Sequence, residues 1–145
     1  MKTTKSKKTS DEKRVSFIDS EKKFLQNNEV CRVATVSRDK IPHVVPVCYV
    51  FLDNLIFFAT DYDTKKYRNL KNNKNVGLVV DDYHPPNNKA LAITGTADII
   101  ERGEGFSRIY KIFYEKFEWV RQNPWEQGEA PFVAVRVLRK TSWGF

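Results

Sequence analysis

The stretch Ala59-Thr60-Asp61-Tyr62-Asp63-Thr64-Lys65-Lys66 joins the end of an apolar run to a helix-forming segment, and it concentrates groups that bind anions. Thr64 suits a helix N-cap, where its hydroxyl accepts from a first-turn N–H. Lys65 and Lys66 then occupy the first turn, where the helix dipole already supplies partial positive charge. Free N–H groups, a hydroxyl and two ammonium groups at one helix N-terminus make an anion site, and phosphate is the usual occupant. The competing reading is a plain threonine cap followed by two solvated lysines. Arg32 adds weight to the first reading, because it interrupts the apolar residues Val33, Ala34 and Val36, where an unpaired charge is costly. By the register derived below it shares a sheet face with Thr60 through Val47, so it can converge with Lys65 and Lys66 on one phosphate. An ion pair with Glu29 or Asp61 is the alternative for Arg32.

Other chemistries find no support. Cys31 and Cys48 form no CxxC pair, and His43 and His84 stand far from each other and from any metal-ligand spacing, so no metal site is expected. A lone strand histidine such as His43 reads as a packed or surface residue. Walker A is absent, Gly103-Glu104-Gly105 lacks the third glycine of a dinucleotide fingerprint, and there is no Gly-x-Ser-x-Gly elbow. No residue is singled out as a catalytic acid or base.

The 145 residues suit one domain plus a tail, and 41% hydrophobic with 13% aromatic content supports a sizeable core. Residues 1–14 carry six basic side chains against two acids, +4 of the net +7, with almost no apolar residue. They read as a disordered basic tail, solubilising rather than nucleic-acid-binding, ahead of a domain spanning 15–145. No apolar run is long enough for a membrane helix. Met1-Lys2-Thr3-Thr4-Lys5 has no apolar stretch behind it, so a cytoplasmic protein without a secretory signal is expected.

The elements that must position these residues are mostly strands. A helix opens near Asp19-Ser20 with Phe24 and Leu25 inward, fraying at Gln26-Asn27-Asn28. Cys31–Ser37, Pro42–Phe51 and Leu55–Thr60 read as a three-stranded meander with turns at Asp39-Lys40 and Asp53-Asn54. A two-residue turn at Asp39-Lys40 pairs Arg38 with Ile41 and Cys31 with Cys48, leaving both thiols unbridged neighbours. It also puts Pro42 and Pro46 in non-hydrogen-bonded pairs, where a missing N–H does no harm. A short helix over 64–72 turns Tyr67 and Leu70 inward. Val76–Val80 and Ala90–Ile100 are further strands, separated by a loop over 82–88, with a bulge at Gly95. Phe106, Ile109, Tyr110, Phe113 and Phe117 recur at helical spacing over Gly105–Lys116, and Phe132–Leu138 is the last strand. Six strands with few, short helices predict a mainly β (α+β) fold, a small six-stranded antiparallel β-barrel with flanking helices.

Arg32-Val33-Ala34-Thr35-Val36-Ser37, then Pro42-His43-Val44-Val45-Pro46-Val47, Phe57-Phe58-Ala59-Thr60 and Thr64-Lys65-Lys66-Tyr67-Arg68-Asn69-Leu70, resemble the pyridoxamine 5′-phosphate oxidase-like split-barrel flavoproteins. The likeness runs from about Glu21 to Ile100, and Ser142-Trp143-Gly144-Phe145 is also similar to some members. It implies a homodimer holding two FMN molecules at the subunit interface. Carried over by position, Arg32 and Lys66 contact the phosphate with Thr64 and Lys65. Val33, Ala34 and Thr35 line the isoalloxazine, Ala59 and Thr60 follow the ribityl chain, and Trp143 comes from the second subunit. Lys89-Ala90 replaces the family's Arg-Gln pair and the Arg-rich C-terminal segment is missing, so pyridoxine phosphate is not the expected substrate. The resemblance implies an FMN-dependent oxidoreductase of unknown substrate and electron donor. The alternatives are an F420-dependent reductase and a flavin-binding or nucleic-acid-associated module without turnover.

Overall fold

Period-two burial along long β-branched runs closes a sheet on itself, and the computed structural model, which describes residues 15–145, shows this barrel. The elements in order are α1 (Asp19–Asn27), β1 (Val30–Val36), β2 (Pro42–Leu52), β3 (Leu55–Ala59), α2 (Lys65–Asn72), β4 (Asn75–His84), β5 (Asn87–Ile100), α3 (Gly103–Lys116), α4 (Glu118–Gln122) and β6 (Phe132–Trp143). The strands follow one another around a closed antiparallel barrel in the order β1-β2-β3-β6-β5-β4. The expected fold class is therefore correct. The tail over 1–14 lies outside the described residues. Among the described residues, no helix is long and apolar enough to cross a membrane.

Two hydrophobic clusters explain why both faces of the strands are apolar. Cys31, Val33, Tyr49, Phe51, Ile56, Phe58, Leu78, Val80, Leu91 and Val133 fill the barrel. Val50, Phe57, Phe132 and Ala134 point outward and are covered by Phe106, Ile109, Phe113 and Val120 of α3 and α4. The short helix α4 and the first two residues of α3 extend the helical region beyond the expected Gly105–Lys116.

The β2–β3 hairpin is as expected. Asp53 and Asn54 have φ of 55° and 62°, the two positive values of a type I′ turn, and Leu52 pairs with Leu55. The β1–β2 hairpin is not. Cys31 pairs with Val47, Val30 with Cys48 and Arg32 with Pro46, one residue away from the expected register. The loop has three residues, Arg38, Asp39 and Lys40, closed by the bond from Ser37 N–H to Ile41 O (3.1 Å). Lys40 takes φ 64°, the left-handed position that such a loop needs and that glycine usually fills. Shifting a register by one residue turns side chains to the other face. Cys31 thus points into the barrel, while Cys48 packs outside it, and both thiols are free. The prolines fit both registers, because the closing pair moves together with the loop. Tyr49 N–H bonds Glu29 O (3.0 Å), so odd-numbered β2 residues bond β1 and Pro42 and Pro46 turn their nitrogens the other way. There β3 pairs only with Tyr49–Leu52, leaving the Pro42–Val47 edge without a strand among the described residues.

Polar residues read as a loop over 82–88 instead continue the β4–β5 ladder, with Asp82 opposite Lys89 and His84 opposite Asn87. The exposed tip of a two-stranded ribbon buries little, so its polarity imitates a loop. The bulge at Gly95 is present, with β6 slipping between Thr94 and Gly95. A Cβ on Gly95 would stand 2.5 Å from Arg136 O and 2.7 Å from Val135 Cγ1, so only glycine admits β6 this closely. Beyond the slip, Lys140 lies opposite Ile93 and Ser142 opposite Leu91, both inward-facing positions. There they bond Glu21 of α1, which closes one end of the barrel. The other end, where β1 and β3 finish and β4 begins, is crossed by α2.

Candidate functional site

Thr64 caps α2 as its sequence suggests, its Oγ1 accepting from Tyr67 N–H at 3.2 Å. The same hydroxyl donates to Asp61 O (2.9 Å) and lies 2.9 Å from Thr60 Oγ1. Thr60 N–H bonds Pro131 O, tying the end of β3 to the start of β6. The segment from Thr60 to Thr64 is thus fixed by its own hydroxyl network before any ligand arrives. Helix α2 turns Leu70 inward and leaves Tyr67 half-buried, and it also buries two polar residues, Lys66 and Asn69. Asn69 is matched, since its Nδ2 donates to Thr35 Oγ1 at 3.0 Å. That bond docks α2 on the inner face of β1.

Lys66 is different. It is 8% exposed, and its ammonium makes no hydrogen bond or ion pair among the described residues. Burial pushes its pKa down, and the charge of Asp61 pulls it partly back. A cation on a buried stem at the positive end of a helix, without an ion-pair partner among the described residues, is costly in the empty protein. An anion placed there would relieve that cost, so the residues fit a phosphate-bearing cofactor. Lys65, by contrast, is exposed.

The remaining residues singled out from the sequence divide into groups. Ala59 and Thr60 line a cavity of about 420 Å³ between the end of β3 and the α4–β6 connection. Val33 and Thr35 are buried with their side chains inward, and Ala34 is half-buried on the outer face. Arg32 is also on the outer face, and Val47, the residue linking it to Thr60 in the sequence reading, points inward. The register slip therefore separates Arg32 from Thr60. Arg32 Nη1 instead bonds Asp81 Oδ1 at 2.8 Å, an ion pair with an acid of β4, three strands on in sequence and adjacent in the barrel. Trp143 ends β6 near the barrel end that α1 closes, with Nε1 donating to Tyr83 Oη at 3.2 Å, and does not join α2 within the chain. Sequence reading missed the cavity's Trp119 and the part played by Trp125. Both lie in a segment read as connection, and only their density of aromatic residues signalled them.

The chain matches the pyridoxamine 5′-phosphate oxidase family over residues 17–141. A pyridoxamine 5′-phosphate oxidase homologue of Saccharomyces cerevisiae is 30% identical over 88 residues, which are 50% of this chain and 44% of that protein. The chain thus matches less than half the length of this curated relative. Among solved structures, the haem storage protein HutZ of Vibrio cholerae superposes with TM-score 0.74 at 20% identity, covering 90% of this chain and 97% of that one. An FAD-binding protein of Mesorhizobium loti gives 0.69 at 20% identity, with 87% and 94% covered. An F420 reductase gives 0.65 at 21% identity, with 86% and 98% covered. At such identities these structures show a shared fold.

Proposed function

Because the chain belongs to the pyridoxamine 5′-phosphate oxidase family, we propose that it is an FMN-binding oxidoreductase whose cofactor phosphate sits on the N-terminus of α2. The observation that carries this reading is Lys66, a buried side chain whose ammonium has no partner among the described residues, on the helix that opens at the bonded hydroxyls of Thr60 and Thr64. In the bound state Lys66 offers a charge-assisted hydrogen bond, Thr64 a hydroxyl and Lys65 a second, solvated charge. A bound flavin supplies the two-electron redox chemistry, and the protein supplies position and electrostatic environment.

The proposal includes a second copy of the chain. Val44 is 61% exposed and Ile41 55%, and both lie on or beside the outer face of the β1–β2 pair that carries Arg32 and Ala34. Contiguous exposed apolar surface of this kind marks an interaction site. Seating a second protomer there brings Arg32 and Ala34 to the interface, with Trp143 of the other chain assigned to the same cleft.

Absorbance of the purified protein separates the cofactors. Flavin shows bands at roughly 375 and 450 nm, F420 one at roughly 420 nm, and haem a Soret band. The fold shared with an F420 reductase makes F420 the second reading, with the same phosphate cradle. Lys66→Met tests the cradle with two opposed readouts. FMN affinity should fall by roughly 1.5–3 kcal/mol, about one to two orders of magnitude. The melting temperature of the empty protein should rise, because an unpaired charge on a buried stem is replaced by an apolar chain of similar length. Unchanged FMN affinity in both Lys66→Met and Thr64→Ala would refute the assignment.

A further inference from the structure

The cavity beside the phosphate cradle has a charge of opposite sign to it. Thr60, Asp61, Trp119, Asn123, Trp125 and Glu129 contribute to its wall, and among the described residues its charged side chains are the two acids. The indoles of Trp119 and Trp125 are nearly parallel, with 6° between their planes and centroids 6.1 Å apart. Trp125 is held in place. Its Nε1 donates to Ala130 O and its backbone N–H to Tyr110 Oη, both at 3.1 Å, and it meets the Tyr110 ring edge-on. Glu129 is held too, its Oε1 accepting from Glu126 N–H at 2.6 Å. Trp119, on the short α4, is 39% exposed and packs its ring against Phe117. Asn123 offers an amide whose side chain has no hydrogen-bond partner among the described residues.

Aromatic faces attract cations through their quadrupole, and carboxylates add to that attraction while repelling anions. At about 420 Å³ the space suits a compact one- or two-ring molecule. We propose that this cavity binds a flat organic cation of the N-alkylated heteroaromatic class. It rests on the flavin reading only in treating that cation as the reactant that meets the cofactor across Thr60. The two sites would then divide the work by charge, with anionic groups on α2 and the cation on the indoles.

The test uses the full chain and two probes of equal size and opposite charge, 1-methylquinolinium and 2-naphthoate, titrated by calorimetry. The expected result is at least tenfold tighter binding of the quinolinium. That affinity should fall at least fivefold in Trp119→Ala and in Asp61→Asn/Glu129→Gln, and recover in Trp119→Phe. Melting temperatures within a few degrees of the parent's confirm that exposed Trp119 and the acids were changed without unfolding. Equal or tighter naphthoate binding, or quinolinium affinity unmoved by these variants, overturns the proposal. One-for-one displacement of the quinolinium by FMN also overturns it, because the flavin ring would then own the cavity. Loss of FMN binding with quinolinium binding intact would instead sink the flavin reading and leave this one standing.

Discussion

Replacing Glu21 should expose how the barrel is closed at the α1 end. Its carboxylate is 3% exposed and accepts from Ser142 Oγ at 2.6 Å, from Ile18 N–H at 3.0 Å and from Lys140. Burial alone would raise its pKa, but the bonds from Lys140, Ser142 and Ile18 outweigh burial and hold it below the ordinary 4.5. A carboxyl with a depressed folded pKa stabilises the protein above its unfolded pKa, and that contribution disappears as pH falls through the folded value. Glu21→Gln removes the charge and leaves Lys140, itself only 20% exposed at its side chain, without its partner. Breaking a buried pair from one side costs about 3–5 kcal/mol. In urea unfolding at pH 7, Glu21→Gln should lose close to that amount. Below about pH 4.5 the gap between parent and variant should narrow, because the parent also becomes protonated. Adding Lys140→Met should recover part of the loss, since no unpaired charge remains. A gap that is absent at pH 7, or that widens on acidification, would refute this account.

Two further outcomes follow from the strands. Gly95→Ala should destabilise the fold by about 1–3 kcal/mol and broaden the β5–β6 amide signals in NMR spectra, because its Cβ meets the backbone of Arg136 at 2.5 Å. Thiol labelling near pH 8 should modify Cys48 first. Burial pushes the Cys31 thiol up to about 12, so Cys31 should react only when the barrel opens, and its labelling rate should follow denaturant.

What the sequence disclosed depended on whether the decisive chemistry was local. Asp53-Asn54 announces its turn because both residues tolerate positive φ, and the β2–β3 register follows without error. Arg38-Asp39-Lys40 hides its turn, since a lysine stands in the left-handed position and the prolines accept either register. That single residue of slip put Cys48 on the face opposite Cys31 and Arg32 on the face opposite Val47, and Arg32 found Asp81, a partner forty-nine residues away that no local pattern names. The α2 cap was legible because Thr64 and the helix it begins are contiguous. Lys66 was legible as a cation at that end, whereas its burial was not, because it depends on how the helix docks on β1, distant in sequence. Nothing local singles out Glu21, since its partners lie in β6, turned inward by a bulge on the far side of the chain.

The open edge of β2 bears on how crowded copies of this protein behave. A strand without a neighbour is a template for another chain, and this one is apolar, with Val44 largely exposed. Its outward-pointing nitrogens over 42–46 belong to Pro42, Val44 and Pro46, so a docking strand would find a single N–H donor there. Carbonyls alone cannot build a ladder. The prolines thereby permit side-chain packing on this part of the molecule while denying it the backbone pairing from which edge-to-edge fibres grow.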